Sequence, residues 1–278
     1  MTMIHVVRVS CPDEKGLLAK VAGVLWESGL NILSNQEFVD EPTSTFFLRA
    51  KVEGDIDHSS LHEQLENALP SNHNLEISPL AKKNLVIMAT KEEHVLGDLL
   101  IRSRQGDLHG NILAIVSNHP ELEELAQAFK IPFYHLPVDN LHREKHEQQI
   151  LNLIKTFPLD YLILAKYMRI LSPEFVSNFN NNIINIHHSF LPAFIGANPY
   201  RQAHDRGVKI IGATAHFVND QLDEGPIITQ GVENVDHRLD AKDLARVGRN
   251  IEKTTLAKAL DLVLEQKVFL AGSRTIVF

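Results

Sequence analysis

The stretch NLVIMATKEEHVLGDLLIRSRQGDLHGNILAIVS, residues 84–117, decides the fold. Its ends, NLVIMAT (84–90) and NILAIVS (111–117), are continuous apolar runs, the pattern of parallel strands covered on both faces. Residues 93–105 between them read as a helix. Toward the carboxyl end the alternation continues: PFYHLP (132–137), DYLILA (160–165) and IINIH (183–187) read as strands, and about 120–129 and 142–157 as helices. This order predicts an open, doubly wound, mostly parallel α/β sheet. Ligands of such sheets bind beyond the carboxyl ends of the strands, so the end of IINIH is the first place to look for a site. Residues 209–218 (KIIGATAHFV) and 225–235 (GPIITQGVENV) read as two more strands, and 240–266 as a long helix that Asp240 can cap.

Upstream the pattern differs. MIHVVRVS (3–10) reads as a strand and CPDEKG (11–16) as a turn, and Leu17, Leu18, Val21, Val24 and Leu25 form the stripe of a helix that Gly29 stops. Strands at 31–39 and 44–52 flank the turn DEPTS, followed by a helix at about 57–69 and a strand near 73–78. The order βαββαβ is the ferredoxin-like arrangement. PLAKK (79–83) reads as a connector, which predicts one domain at 1–82 and a second at 83–278.

Composition narrows the functional classes. Hydrophobic residues make up 44% and charged residues 22% of the 278, close to globular averages. The net charge of −8 disfavours nucleic acid, whose phosphates need a basic patch. No apolar run is long enough to span a membrane and the opening residues do not read as a secretory signal, so a cytoplasmic protein is expected. The single cysteine, Cys11, can form no internal disulfide, and neither Cys-x-x-Cys nor His-Glu-x-x-His spacing is present, so no metal is expected.

Residues 185–230, NIHHSFLPAFIGANPYRQAHDRGVKIIGATAHFVNDQLDEGPIITQ, carry most of the chemistry. Asn185 and His187 alternate at a strand end and so share a face, with Ile186 turned to the core. Taken singly, such residues are more often satisfied polar groups, and an Asp-x-Gly is usually only a turn. Their order is more telling: Asn-x-His (185–187), Ser189 to Pro192, His216 to Val218, then Asp223 with Gly225. This segment closely resembles the folate-dependent formyltransferase family, whose Rossmann-type catalytic domain would cover about 84–278. The resemblance implies that Asn185 donates to the formyl oxygen as it becomes an oxyanion, that His187 is the cationic partner and general acid, and that Asp223 sustains that charge and orients the attacking water or its proton. Activity would then fall at low pH once Asp223 is protonated. His188 stands where transferases often carry proline and is either a second site residue or a structural one. His216 is expected to brace the site. Tyr167-Met168-Arg169-Ile170-Leu171 resembles the family's pterin-binding stretch, which makes Arg169, Ile170 and Leu171 folate candidates.

The formyl acceptor distinguishes the members of this superfamily. Where the ribonucleotide transferases have a Gly-Ser-rich phosphate loop, this chain has ATKEEHVLGDLL (89–100), in which Glu92 and Glu93 would repel phosphate. Water is the simplest acceptor left. DEKGLLAKVAGVLWESGLNI resembles the ACT domain, with Asp13, Gly16, Asn31 and Ile32 matching the turn and the start of the second strand. An ACT domain followed by a formyltransferase-like domain resembles the formyltetrahydrofolate deformylase family. The resemblance implies hydrolysis of 10-formyltetrahydrofolate to formate and tetrahydrofolate, with formate supplied to purine synthesis. It also implies no cofactor beyond substrate and water, glycine or methionine as effector, and a homo-oligomer. The alternatives are a formyltransferase whose amine acceptor lacks phosphate, a catalytically silent sensor on the same fold, and a first domain that serves assembly alone.

Overall fold

The computed structural model describes residues 3–138, 142–192 and 199–278; residues 193–198 of the segment read above lie outside the described residues. Contacts divide the chain into two units, Met1–Ala81 with Glu265–Phe269 and Val277–Phe278, and Lys82–Leu264 with Leu270–Ile276.

In the first unit β1 (Ile4–Pro12), α1 (Leu17–Glu27), β2 (Asn31–Asp40), β3 (Thr45–Glu53), α2 (His58–Ala68) and β4 (Asn74–Pro79) follow the expected βαββαβ order. The strands form an antiparallel sheet in the order β2-β3-β1-β4. Alternate residues of β1 and β3, among them Val7, Val9, Leu48, Ala50 and Val52, pack against Leu17, Val21 and Leu25 of α1 and Leu61 and Leu65 of α2. Leu18, assigned from sequence to the helix stripe, is 40% exposed, because the buried positions recur at i, i+4 and i+8 and it falls beside them. Gly29, at φ 72°, follows the last turn of α1, and Asp57 caps α2 by accepting from the amides of Ser59 and Ser60 at 3.1 and 3.2 Å.

The opposite face of this sheet binds the end of the chain, which the sequence reading had placed wholly in the second domain. Buried Arg49 donates to the carbonyls of Gln266 (3.2 Å) and Glu265 (2.8 Å), and Arg8 donates to that of Val268 (2.6 Å). The Arg8 guanidinium lies 4.3 Å from the Phe269 ring centre, and Phe47 meets the same ring edge-on. These partners lie more than 200 residues away in sequence, out of reach of any periodicity argument.

The second unit contains β5 (Lys83–Ala89), α3 (Glu93–Gln105), β6 (Gly110–Ser117), α4 (Glu123–Ala128), β7 (Phe133–His135), α5 (Arg143–Ile154), β8 (Tyr161–Ala165), α6 (Pro173–Val176) and β9 (Ile183–His187). After them come α7 (Pro199–Asp205), β10 (Ile210–Phe217), β11 (Ile227–Asn234) and α8 (Ala241–Leu264). The sheet order is β11-β10-β9-β8-β5-β6-β7, parallel from β9 to β7, with β10 and β11 antiparallel. Val86, Met88, Leu162 and Leu164 bury one face against Ile150, Leu151 and Ile154 of α5. Leu85, Ile87 and Ile163 alternate with them and are equally buried on the other face, as a doubly wound sheet requires. Helix α8 packs on β10, β11 and α3, and Asp240 caps it by accepting from the amides of Lys242 and Asp243, both at 2.8 Å. Strand order reverses between β5 and β8, which places the crevice at their carboxyl ends. Among the described residues no helix is long and apolar enough to cross a membrane. The short α6 and α7 and the last two strands, β12 (Val268–Ala271) and β13 (Arg274–Val277), carry too few residues to show a period and were not expected.

Replacing Arg49 by methionine should lower stability by about 2–3 kcal/mol, the worth of charge-assisted hydrogen bonds whose carbonyl partners are left without a donor. Urea unfolding followed through the first unit measures it, and an unchanged midpoint would show that the clamp contributes nothing.

Candidate active site

The side chains singled out at the end of β9 are assembled by strand pairing. In the antiparallel β9–β10 ladder Asn185 lies opposite His216 and His187 opposite Thr214. The Asn185 amide donates from Nδ2 to His216 Nε2 at 3.2 Å, and His216 Nδ1 donates to the Phe217 carbonyl at 2.8 Å. Those two bonds fix one tautomer of His216, hold the Asn185 amide in one orientation and leave its second N–H without a partner among the described residues. His216 is 1% exposed, in keeping with a bracing group.

Asp223 sits in the β10–β11 loop at φ 57°, a left-handed conformation that aspartate tolerates better than most residues. The loop is closed by the Phe217 amide donating to Pro226 (2.9 Å), and a Cβ on Gly225 would stand 1.8 Å from the Phe217 carbonyl oxygen, so only glycine fits there. This places Asp223 Oδ2 3.2 Å from His187 Nδ1 and Oδ1 3.7 Å from His216 Nε2. Burial alone would raise the Asp223 pKa, but the bond from His187, with the His216 ring close by, outweighs it and holds the carboxyl below the usual carboxylate range. Asp223 is therefore ionised throughout neutral and mildly acidic pH. With Nδ1 turned to Asp223, His187 presents Nε2, a buried nitrogen with no hydrogen-bond partner among the described residues.

The Ser-x-Leu-Pro loop is fastened to β10 and β11. Buried Thr214 donates to the Ser189 carbonyl (2.9 Å) and accepts from the Leu191 amide (3.1 Å), and Gln230 donates to the Leu191 carbonyl (3.0 Å). His188 stacks on His187 with ring centres 5.1 Å apart and lies 6.4 Å from the Tyr200 ring. Burial first, then the nearby charges of Lys166 and His187, lowers its pKa to about 4, so at neutral pH His188 is uncharged.

Of the folate candidates, Arg169 lines a cavity of about 500 Å³ with Asn118, His119, Pro120, His135, Pro137 and Val138. Ile170 and Met168 are exposed, at 58% and 57%, whereas Leu171 is partly buried and packs against the sheet core. The stretch is held at both ends: the Met168 amide donates to Thr90 Oγ1 (3.0 Å), and buried Glu147 of α5 accepts from the amide (2.9 Å) and the hydroxyl of Ser172.

A second polar cluster lay outside the sequence reading. Glu252 of α8, 1% exposed, accepts from His94 Nε2 (2.6 Å) and Tyr200 Oη (2.7 Å) and lies 3.4 Å from Lys166 Nζ. Burial would raise its pKa, but His94, Lys166 and Tyr200 together bring it down to about 2. A charged residue in a helical stripe gives no sequence signal of its own. Among the described residues no group of three or more His, Cys, Asp or Glu is gathered as metal ligands.

In the first unit Asp13 and Gly16 lie at the start of α1, and Asn31 and Ile32 follow its far end. An 11-residue helix, roughly 16 Å long, lies between the two pairs, so one copy of the chain does not bring them together.

A parallel doubly wound sheet with Asn185, His187 and Asp223 converging at a strand end is the architecture of formyl-group enzymes. Residues 83–260 match the formyl transferase family and residues 5–69 the ACT domain. The chain is 51% identical to formyltetrahydrofolate deformylase of Escherichia coli (strain K12), over 98% of this chain and 97% of that one. The crystal structure of formyltetrahydrofolate deformylase from Burkholderia mallei superposes with a TM-score of 0.92, at 42% identity over 99% of both chains. Glycinamide ribonucleotide transformylase 1 from Symbiobacterium toebii, at 28% identity and TM-score 0.68, covers 75% of this chain and 99% of its own. The chain belongs to the formyltetrahydrofolate deformylase family.

The low pKa of His188 makes stability depend on pH. The unfolded chain binds this proton near the ordinary value of 6.5 and the folded chain only near 4, so stability should be lost as pH falls from about 6.5 toward 4 and be flat, for this group, above 6.5. His188→Gln should show a shallower loss between pH 6.5 and 5 in urea titrations. Parallel slopes for the two proteins would contradict the assignment of a neutral His188.

Proposed function

We propose that the chain hydrolyses 10-formyltetrahydrofolate to formate and tetrahydrofolate, with Asn185, His187 and Asp223 as the reacting constellation. One observation carries the reading: Asp223 accepts from His187 Nδ1, which turns the unpartnered Nε2 toward the substrate side. The pteridine binds along Arg169 and the exposed faces of Met168 and Ile170. The free N–H of Asn185 and the Nε2–H of a cationic His187 receive the formyl oxygen as water adds to its carbon. Asp223 sustains the imidazolium and takes up the proton that the water loses. His187 then delivers its Nε2 proton to the departing folate nitrogen as the C–N bond breaks, and the proton held by Asp223 returns to Nε2 by way of water, because Nδ1 keeps its own. Water supplies the oxygen and both protons, so no cofactor is required. His216 acts only through Asn185 and Asp223.

Formate released from purified protein with no acceptor tests the reaction. Asn185→Ala should lower kcat by about 10²–10³ and His187→Ala by about 10²–10⁴; Asp223→Asn should fall with them. A rate unchanged in Asp223→Asn would remove the carboxylate from the mechanism.

The first unit is proposed to bind a small amino acid, glycine or methionine, between two copies of the chain. Asp13 and Gly16 of one copy would face Asn31 and Ile32 of the other. Edge strand β2 supports this reading with exposed Ile32, Leu33 and Phe38, joined by Trp26, 76% exposed on α1. The buried thiol of Cys11, its pKa raised by burial to about 11, suits a reducing compartment such as the cytoplasm. Titration calorimetry with each amino acid, and the same protein with Asp13→Ala, should show heat that the substitution abolishes. No heat from either ligand and no effect on rate would leave the unit an assembly module.

A further inference from the structure

Lys166 is the first residue beyond β8 and is only 5% exposed. Its φ of 62° is a left-handed conformation that costs a lysine about 1–2 kcal/mol and a glycine almost nothing. A strained, buried cation next to an active site calls for an account of what its side chain does. Strand register supplies the position. Leu164 of β8 pairs with Asn185 of β9, so Lys166, two residues on, leaves the sheet at the end of the strand next to the one that carries His187.

The donor folate approaches along residues 167–171, and Asn185, His187 and Asp223 hold the β9–β10 side. A second substrate larger than water must come from the remaining side, formed by the start of α3 and the middle of α8. Lys166, Glu252, His94 and Tyr200 occupy it. Glu252 Oε2 faces both His94 Nε2 and Lys166 Nζ, and Oε1 accepts from Tyr200. Glu92, beside His94 (3.5 Å) and Lys166 (3.7 Å), is a partner of the same cation. Helix α8 is cut away for this packing, since a Cβ on Gly248 would lie 2.0 Å from the Tyr200 hydroxyl oxygen. A bare buried carboxylate here would attract an amine, but the lone pairs of Glu252 are already taken.

We propose that Lys166, anchored by Glu252, fills the acceptor side of the pocket and is the specificity determinant that reserves the formyl group for water. The inference rests on the hydrolytic reading above. Removing the lysine side chain opens a space beside a carboxylate that can hold an amine N–H. The amine nitrogen then bonds to the formyl carbon, the bond from that carbon to the folate nitrogen breaks, and the proton lost by the amine reaches that nitrogen by way of His187. The products are a formamide and tetrahydrofolate, with no net oxidation or reduction.

The test gives the full chain 10-formyltetrahydrofolate with and without glycinamide, a small amine without phosphate, and counts formate and formylglycinamide by mass spectrometry. The unsubstituted protein should yield formate alone, at a rate indifferent to glycinamide. Lys166→Gly, which relaxes the backbone, should yield at least about tenfold more formylglycinamide, a discrimination of the size that pocket filling provides. Should that variant not fold, Lys166→Asn carries the same expectation, because asparagine also tolerates the left-handed region. Formylglycinamide no higher than in the unsubstituted protein, whether or not formate release falls, overturns the proposal. Failure of the unsubstituted protein to release formate without an amine overturns the hydrolytic reading instead.

Discussion

The site depends on one interaction, the contact of His187 Nδ1 with Asp223 Oδ2 at 3.2 Å. It sets the tautomer of His187, keeps Asp223 ionised against its own burial, and leaves Nε2 as the single nitrogen that can meet a substrate. Neither residue could hold this geometry unaided. Asp223 is on a loop rather than a strand, and its position follows from the Gly225 close approach and the Phe217–Pro226 bond behind it. His187 is fixed by a ladder whose next rungs carry Asn185 and His216.

Two carboxylates, Asp223 and Glu252, therefore flank the stacked histidines and serve different ends. Asp223 faces the imidazoles of His187 and His216, and the first of these keeps one nitrogen, Nε2, without a partner among the described residues. Glu252 faces a lysine, a tyrosine hydroxyl and His94, and its lone pairs are used within the protein. Between them His188, its pKa near 4, stays neutral at neutral pH and stacks on His187 as an uncharged ring. Burial would make each acid harder to ionise; the donors around it decide that both stay charged.

The sequence made the sheet legible because its strands are short apolar runs separated by amphipathic helices, and the site legible because Asn185, His187 and Asp223 keep a fixed order along 39 residues. The direction of the Leu171 side chain was not legible for a local reason. Neighbours in an irregular loop turn to different sides, and only the fold shows that Arg169 faces the cavity while Leu171 faces the core. Glu252, Lys166 and His94 were not legible because their pairing spans α8, β8 and α3, and isolated charges in a chain that is 22% charged carry no mark of burial. The clamp of Arg49 and Arg8 on residues 265–268 was hidden for the same reason.

Two of the left-handed residues stand beside the chemistry. Several of the non-glycine residues at positive φ are Asn or Ser in exposed or partly exposed turns, where a short polar side chain eases the left-handed conformation. Gln266 is buried in the first unit, and Lys166 and Asp223 are enclosed beyond β8 and β10, the strands on either side of the one that carries His187. Each of the latter two has its charge tied to partners that a regular backbone would not let it reach, and the core of the parallel sheet sustains the cost. A left-handed residue at the end of a buried strand re-aims the chain within one peptide. The parallel sheet can in this way end in a site bordered on one side by Asp223 and on the other by Lys166 with its partner Glu252.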